Sequence, residues 1–197
     1  NKDHPESPLK VRGHVLVWHS QTPEWFFREG YEVKQNADGT ENYVTPEVMN
    51  LRLEWYIKTV LEHYVGEDSP YKDLFYGWDV VNEAVSDDSN RTANNGGARV
   101  PGDNNVTGGT SAWVSVYGDN SFVEKAFEIA NKYAPEGCAL YYNDYNEYWD
   151  HKRDCIINTI VKPLYNKGLL DGMGMQSHVP ANATGFAGTD SYLQAMD

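Results

Sequence analysis

The sequence predicts an α/β fold of the parallel, barrel-forming kind. Two observations carry that expectation. Short apolar runs alternate with amphipathic helical segments along the whole chain, and such alternation favours parallel strands joined by helical crossovers. Each apolar run also ends in a cluster of amides, carboxylates or imidazoles, which is how a parallel barrel presents a site at the carboxyl edge of its strands. The stretch Trp78-Asp79-Val80-Val81-Asn82-Glu83-Ala84 shows this most clearly, with an apolar strand running straight into Asn82 and Glu83. The plainer reading of an Asn-Glu pair is a helix N-terminus, where an acidic side chain complements the dipole.

Asn1 to Pro8 is polar and reads as a loop end. Val11 to His19 is rich in β-branched residues and reads as a buried strand that delivers Trp18, His19 and Gln21 into a loop closed off from helix by Pro23. Glu24 to Val44 is irregular, with a turn expected at Asn36-Ala37-Asp38-Gly39. Thr45-Pro46 is a helix start, a capping hydroxyl followed by proline, and Gly66 is its stop. Between them Met49, Leu53, Ile57, Val60, Leu61 and Tyr64 recur at spacings of three and four and form one inward face.

The strand ending at Glu83 follows. From 85 to 120 the composition shifts to Asp, Asn, Gly, Ser and Thr, and a structureless functional loop or subsite wall is expected. The sequons at Asn90, Asn105 and Asn182 occur at a frequency that chance explains. Ser121 to Tyr133 is the next helix, with Ser121 and Glu124 placed for a capping box and Phe122, Ala126, Ile129, Ala130 and Tyr133 on one face. Cys138 to Tyr142 is a third strand ending in Asn143-Asp144-Tyr145-Asn146. His151 to Lys167 is helical with a kink expected at Pro163, and Leu170 to Met175 is a fourth strand closing on Gln176-Ser177-His178.

Composition excludes several functions. The formal charge of -13 argues against nucleic acid and against an anionic membrane surface, both of which require Lys and Arg to neutralise phosphate. No apolar run approaches the roughly 20 residues that would span a bilayer. Cys138 and Cys155 allow at most one disulfide and have no neighbours at metal-ligand spacing, so two reduced, buried thiols and no metal or cofactor are expected.

The strand ends together project His19 and Gln21, Asn82 and Glu83, Asn143 and Asp144, and Gln176 and His178. Singly each has a bland explanation as a core aromatic, a satisfied histidine or a turn. Collectively, with Trp18, Trp25, Trp78, Tyr145 and Trp149 nearby, they suit a ligand with flat apolar faces and many hydroxyls, a sugar. A glycosidic oxygen is a poor leaving group, so its cleavage needs a protonated carboxyl to donate as the bond breaks.

The runs Val11-Arg12-Gly13-His14-Val15-Leu16-Val17-Trp18-His19-Ser20-Gln21-Thr22-Pro23, Trp78 to Ala84, Asn143-Asp144-Tyr145-Asn146 and Gln176-Ser177-His178 resemble the third to sixth strand motifs of glycoside hydrolase family 10. Members are mainly retaining endo-β-1,4-xylanases on a (β/α)8 TIM barrel. The resemblance implies that residues 1–197 form a partial catalytic domain, the middle four βα units, whose partners are xylan or xylo-oligosaccharide and the remainder of the barrel, in a secreted protein. By the same resemblance Glu83 is the acid/base and Asn82 hydrogen-bonds a sugar hydroxyl at the cleaved unit. His14, Trp18 and Gln21 line the glycone side, Tyr145 the aglycone side, and Gln176 and His178 flank the nucleophile. That nucleophile belongs to a strand-seven segment not found before Asp197, so the isolated 197-residue chain is expected not to turn over. A non-catalytic sugar-binding remnant and a barrel glycanase acting on cellulose or mannan are the alternatives.

Overall fold

The computed structural model describes residues 6–104 and 109–178, together with 193, 195 and 196. Four parallel strands form the main sheet in the order β1 (Val11–Trp18), β2 (Phe75–Asn82), β5 (Ala139–Asp144) and β6 (Gly172–Met175). Each neighbouring pair is joined by a helical crossover, as parallel pairing demands. Sequence-adjacent strands lie side by side, and Trp18 pairs with Asn82, Asn82 with Asn143, and Asp144 with Met175. This register brings the polar ends of all four strands to one edge.

Helix α1 (Pro46–Val65) crosses from β1 to β2. Thr45 caps it by accepting from the Val48 N–H at 3.4 Å, and Pro46 fills a first-turn position whose missing N–H costs nothing. Met49, Leu53, Ile57 and Leu61 are fully buried, each contributing about 1.5–3 kcal/mol of transfer free energy. Their spacing of four makes the buried stripe narrower than periodicity suggested. Tyr64, expected inward, is exposed at its edge and packs laterally on Phe75 and Trp78, and Val60 is half-buried.

The irregular segment after β1 is folded back by bridges between Arg28 and Tyr43 and between Gln35 and Glu41. Its tip is the expected turn, with the Gly39 N–H donating to the Asn36 carbonyl and Gly39 in the left-handed region that suits glycine.

The stretch from 85 to 120 is not structureless. It contains α2 (Ser89–Asn94), the short parallel pair β3 (Val100–Pro101) and β4 (Thr110–Ser111), and α3 (Ala112–Tyr117). Tertiary packing overrides polar composition here. Trp113 on α3 is buried edge-to-face against Phe27 at 4.8 Å and stacked on Phe122 at 5.6 Å, while its indole N–H donates to the Trp18 carbonyl. The buried Arg28 joins the two long loops by binding Glu41, Asp103 and, at 3.6 Å, Glu24, with its guanidinium over the Tyr43 ring. Asn90 lies in α2, whereas the sequons at Asn105 and Asn182 lie outside the described residues.

Helix α4 (Ser121–Tyr133) buries Phe122, Ala126, Ile129 and Ala130 and packs against α1. The capping box does not form, because Ser121 is already inside the helix behind Asn120, and the Asp119 carboxylate accepts from the Ser121 N–H instead. The last crossover runs through α5 (Asp150–Ile156), a π segment Ile157–Val161, and α6 (Lys162–Asn166). Pro163 sits just beyond the widened turn, at a position where a regular helix would press its ring on the carbonyl four residues back. Cys138 and Cys155 are both free, Cys155 buried and Cys138 only half-buried. Trp78 stacks on Phe75 in the core beneath Gly13, where a Cβ would meet its ring, so it does not reach the sheet's polar edge.

Candidate active site

Glu83 follows the last residue of β2 and adopts φ +57°, a left-handed conformation uncommon outside glycine. Gln21, Asn146 and Ser177, in the loops after the other three strands, share that conformation. Such residues persist only where surrounding bonds over-determine them, and they cluster at functional sites.

The Glu83 carboxylate is held from both sides. Trp18 Nε1 donates to Oε2 at 2.9 Å and Gln176 Nε2 donates to Oε1 at 2.8 Å. The Glu83 side chain is 13% exposed, enclosed but reachable. Gln176 also donates to Asn82 Oδ1 at 3.0 Å and accepts from His178 Nε2 at 2.9 Å, which fixes its amide and makes the His178 Nε2 a proton donor. Asn143 Nδ2 donates to the same Asn82 Oδ1 at 2.8 Å. With its oxygen engaged twice, Asn82 turns its amide N–H groups the other way. Thus β1, β2, β5 and β6 all contribute to one hydrogen-bonded cluster.

His14 and Tyr145 are tied less directly to that cluster. His14 Nδ1 contacts Asp79 Oδ2 at 2.9 Å, and the buried Asp79 also accepts from the half-buried Arg12, so the imidazole is oriented by a partly buried ion pair. The Tyr145 ring lies beneath Lys152, whose Nζ is 3.7 Å from the ring centroid. A cleft of about 410 Å³ opens beside Trp18 and is lined by His14, Gln21, Pro23, Trp25 and Trp55 among others. Trp149 stands at the N-cap position of α5 and does not line it. Among the described residues no group of three or more His, Cys, Asp or Glu side chains could hold a metal ion.

Several residues of this region carried no recognisable spacing in the sequence. Arg99, almost fully buried, donates from Nε to the Glu83 carbonyl at 2.7 Å. Lys152, fully buried, pairs with Asp144 at 2.9 Å and with Asp87 at 2.6 Å. Burial alone would lower its pKa, but the two carboxylates outweigh burial and raise it. Burial pushes the Asp144 carboxyl up, against the pull of Lys152. Asp144 has both oxygens engaged, by Lys152 and the Tyr145 N–H on one and by the Tyr142 hydroxyl on the other. It is unavailable as a nucleophile, and Asp79 is likewise saturated by Arg12 and His14.

His19 is buried beside Glu83, its Nδ1 4.0 Å from Oε2 and without a hydrogen-bond partner. Burial first, then the charges of Arg99 and Lys152, lowers its pKa to about 3. The folded protein therefore keeps it neutral while the unfolded chain protonates it below about 6.5. Its stability contribution is present above that value and is lost as pH falls toward 3, by about 1.4 kcal/mol per unit. Between pH 7 and 5 the urea unfolding free energy should fall by about 2 kcal/mol more in the native protein than in a His19→Gln variant. Parallel pH dependences in the two would show that His19 is not held neutral.

The match to the sequence model of Glycosyl hydrolase family 10 extends over residues 5–197. The chain is 56% identical over 191 residues to endo-1,4-beta-xylanase Y of Acetivibrio thermocellus, covering 97% of this chain and 17% of that protein. It is 42% identical to the bifunctional endo-1,4-beta-xylanase XylA of Ruminococcus flavefaciens, again over 97% of this chain and 17% of the relative. The fold superposes with a TM-score of 0.82 and 56% identity on the xylanase 10B CBM22-1–GH10 modules of Clostridium thermocellum complexed with xylohexaose, covering 94% of this chain and 34% of that one. Xylanase XynB of Paenibacillus barcinonensis, complexed with a conduramine derivative, gives a TM-score of 0.67 at 32% identity, with 94% and 45% covered. The chain thus spans about a sixth of the length of these two curated relatives.

Proposed function

The chain belongs to glycosyl hydrolase family 10, and on that premise we propose that the full-length protein is an endo-acting, retaining hydrolase of β-1,4-xylosidic bonds in xylan, with Glu83 as its general acid/base. The four parallel strands and the helical crossovers that join them are part of the family's (β/α)8 TIM barrel. The observation that carries the reading is the suspension of the Glu83 carboxylate between Trp18 and Gln176 at the carboxyl edge of the sheet. Donors on both oxygens hold the group in one orientation, so that a proton can be delivered along one line to the departing glycosidic oxygen.

In this reading the amide nitrogen of Asn82 binds a hydroxyl of the sugar being cleaved. His14, Trp18 and Gln21, which share the lining of the cleft, take the glycone side. Tyr145, made rigid by Lys152, serves the aglycone side, and Gln176 with His178 adjoins the nucleophile. A retaining mechanism requires a second carboxylate about 5–5.5 Å from the first. With Asp79 and Asp144 saturated, that group is expected from another part of the full-length protein. A polymeric substrate of this kind implies a secreted enzyme.

Release of reducing sugar by the full-length protein from xylan, cellulose and mannan, with the anomer of the first product read by NMR, tests the proposal. Xylan cleavage giving the β-anomer first is expected. Preference for cellulose or mannan, first release of the α-anomer, or sugar binding with no cleavage would each overturn it.

A further inference from the structure

We propose that Tyr142 is a positioning residue for the acid/base step, its buried hydroxyl holding the left-handed turn that aims Glu83. The inference rests on the reading of Glu83 as the acid. Glu83 cannot be aimed by its carboxylate contacts alone, because its backbone must first be kept at φ +57°. Four hydrogen bonds do this. The Glu83 N–H donates to the Asn143 carbonyl at 2.9 Å, Arg99 Nε donates to the Glu83 carbonyl at 2.7 Å, and the Tyr142 hydroxyl accepts from the N–H groups of Ala84 at 3.1 Å and Val85 at 3.3 Å.

The Tyr142 side chain is fully buried, so no water can replace these contacts. Its own proton goes to Asp144 Oδ2, and Lys152 pairs with the other oxygen of that carboxylate. The result is a relay of fixed groups, Lys152 to Asp144 to Tyr142 to the two amides after Glu83, lying outside the cleft. Burial and the charge of Asp144 keep the phenol protonated far above ordinary pH, so it remains a donor to Asp144 and an acceptor for the turn throughout the working range. Nothing in this relay touches the sugar. Its effect must therefore act through where Glu83 points.

The test is Tyr142→Phe in the full-length protein, assayed on xylan and on 2,4-dinitrophenyl β-xylobioside. In the first step the nucleophilic carboxylate bonds to the anomeric carbon as the glycosidic C–O bond breaks. Xylan's leaving oxygen takes the acid's proton, whereas dinitrophenolate leaves without one. Misplacement of the acid should lower kcat/KM on xylan about 10–100-fold, mostly in kcat, and leave kcat/KM on the aryl glycoside essentially unchanged. Equal losses on both substrates, or no loss on xylan, would overturn the proposal.

Should Tyr142→Phe fail to fold, Arg99→Met removes the opposing clamp on the same turn and is read the same way, selective loss supporting and uniform or absent loss refuting. Glu83→Gln is run alongside. If Glu83→Gln lacks the leaving-group dependence, the acid assignment fails and the inference falls with it. If Glu83→Gln shows the dependence and the other variants do not, the inference alone fails.

Discussion

Glu83→Gln in the full-length protein is expected to lower kcat/KM on xylan by about 10²–10⁴-fold, the range that a positioned general acid supplies. Glutamine has nearly the volume of glutamate but no proton to deliver at working pH. Its substitution also sets an amide N–H against one of two fixed donors, Trp18 Nε1 or Gln176 Nε2, each of which now meets a carboxylate oxygen. A small fall in Tm should accompany the loss of activity, because one hydrogen bond of this partly enclosed group is exchanged for a donor–donor contact. Retention of full activity on xylan would remove Glu83 from the chemistry, and a collapse of Tm would show that the loss of turnover reports unfolding instead.

The largest effect on stability is expected from Lys152→Met. Lys152 and Asp144 are both fully buried, and their pairing at 2.9 Å compensates two charges that water cannot reach. Replacing such a pair wholesale can be nearly neutral, but removing one partner leaves an uncompensated charge and costs about 3–5 kcal/mol, on the order of 10 °C in Tm. Without Lys152 the Asp144 carboxyl loses its main stabilising neighbour, so its folded pKa rises further above the unfolded value. A group raised in this way stabilises below its unfolded pKa and loses that contribution as pH rises through the folded pKa. The deficit of the variant should therefore be greatest near neutral pH and shrink in acid. Adding Asp144→Asn to Lys152→Met should recover part of the loss, and thermal melts of the four proteins of this cycle measure the coupling. Additive effects would show that the pair is not interacting.

The barrel-forming units were legible because hydrophobic period and punctuation act locally. Thr45-Pro46 and Gly66 bracket α1, and a stripe at spacing four between them can only be a buried helix face. The candidate site was legible as a set of strand ends, since parallel strands carry whatever follows them to a common edge. What failed to show was anything requiring two distant segments. Ser121 carries the pattern of a capping box, yet Asp119 and Asn120 set the helix boundary one residue earlier. The composition of 85–120 reads as open loop, yet Trp113 folds part of it into the core beneath Trp18. Trp78 has the aromatic character of a sugar platform, yet the bare Cα of Gly13 leaves space that draws it inward. Arg99 has no spacing that ties it to Glu83, sixteen residues earlier in the chain.

Taken alone, the residues determined the strand and helix order, the parallel connection and which polar groups leave each strand, because those depend on period, caps and turns within a few positions. Only the tertiary structure decided that one carboxylate would hang between an indole from the first strand and an amide from the last, that its histidine neighbour would stay neutral, and that a lysine and a tyrosine would brace it from behind. Those outcomes depend on desolvation and on distances between segments far apart in sequence.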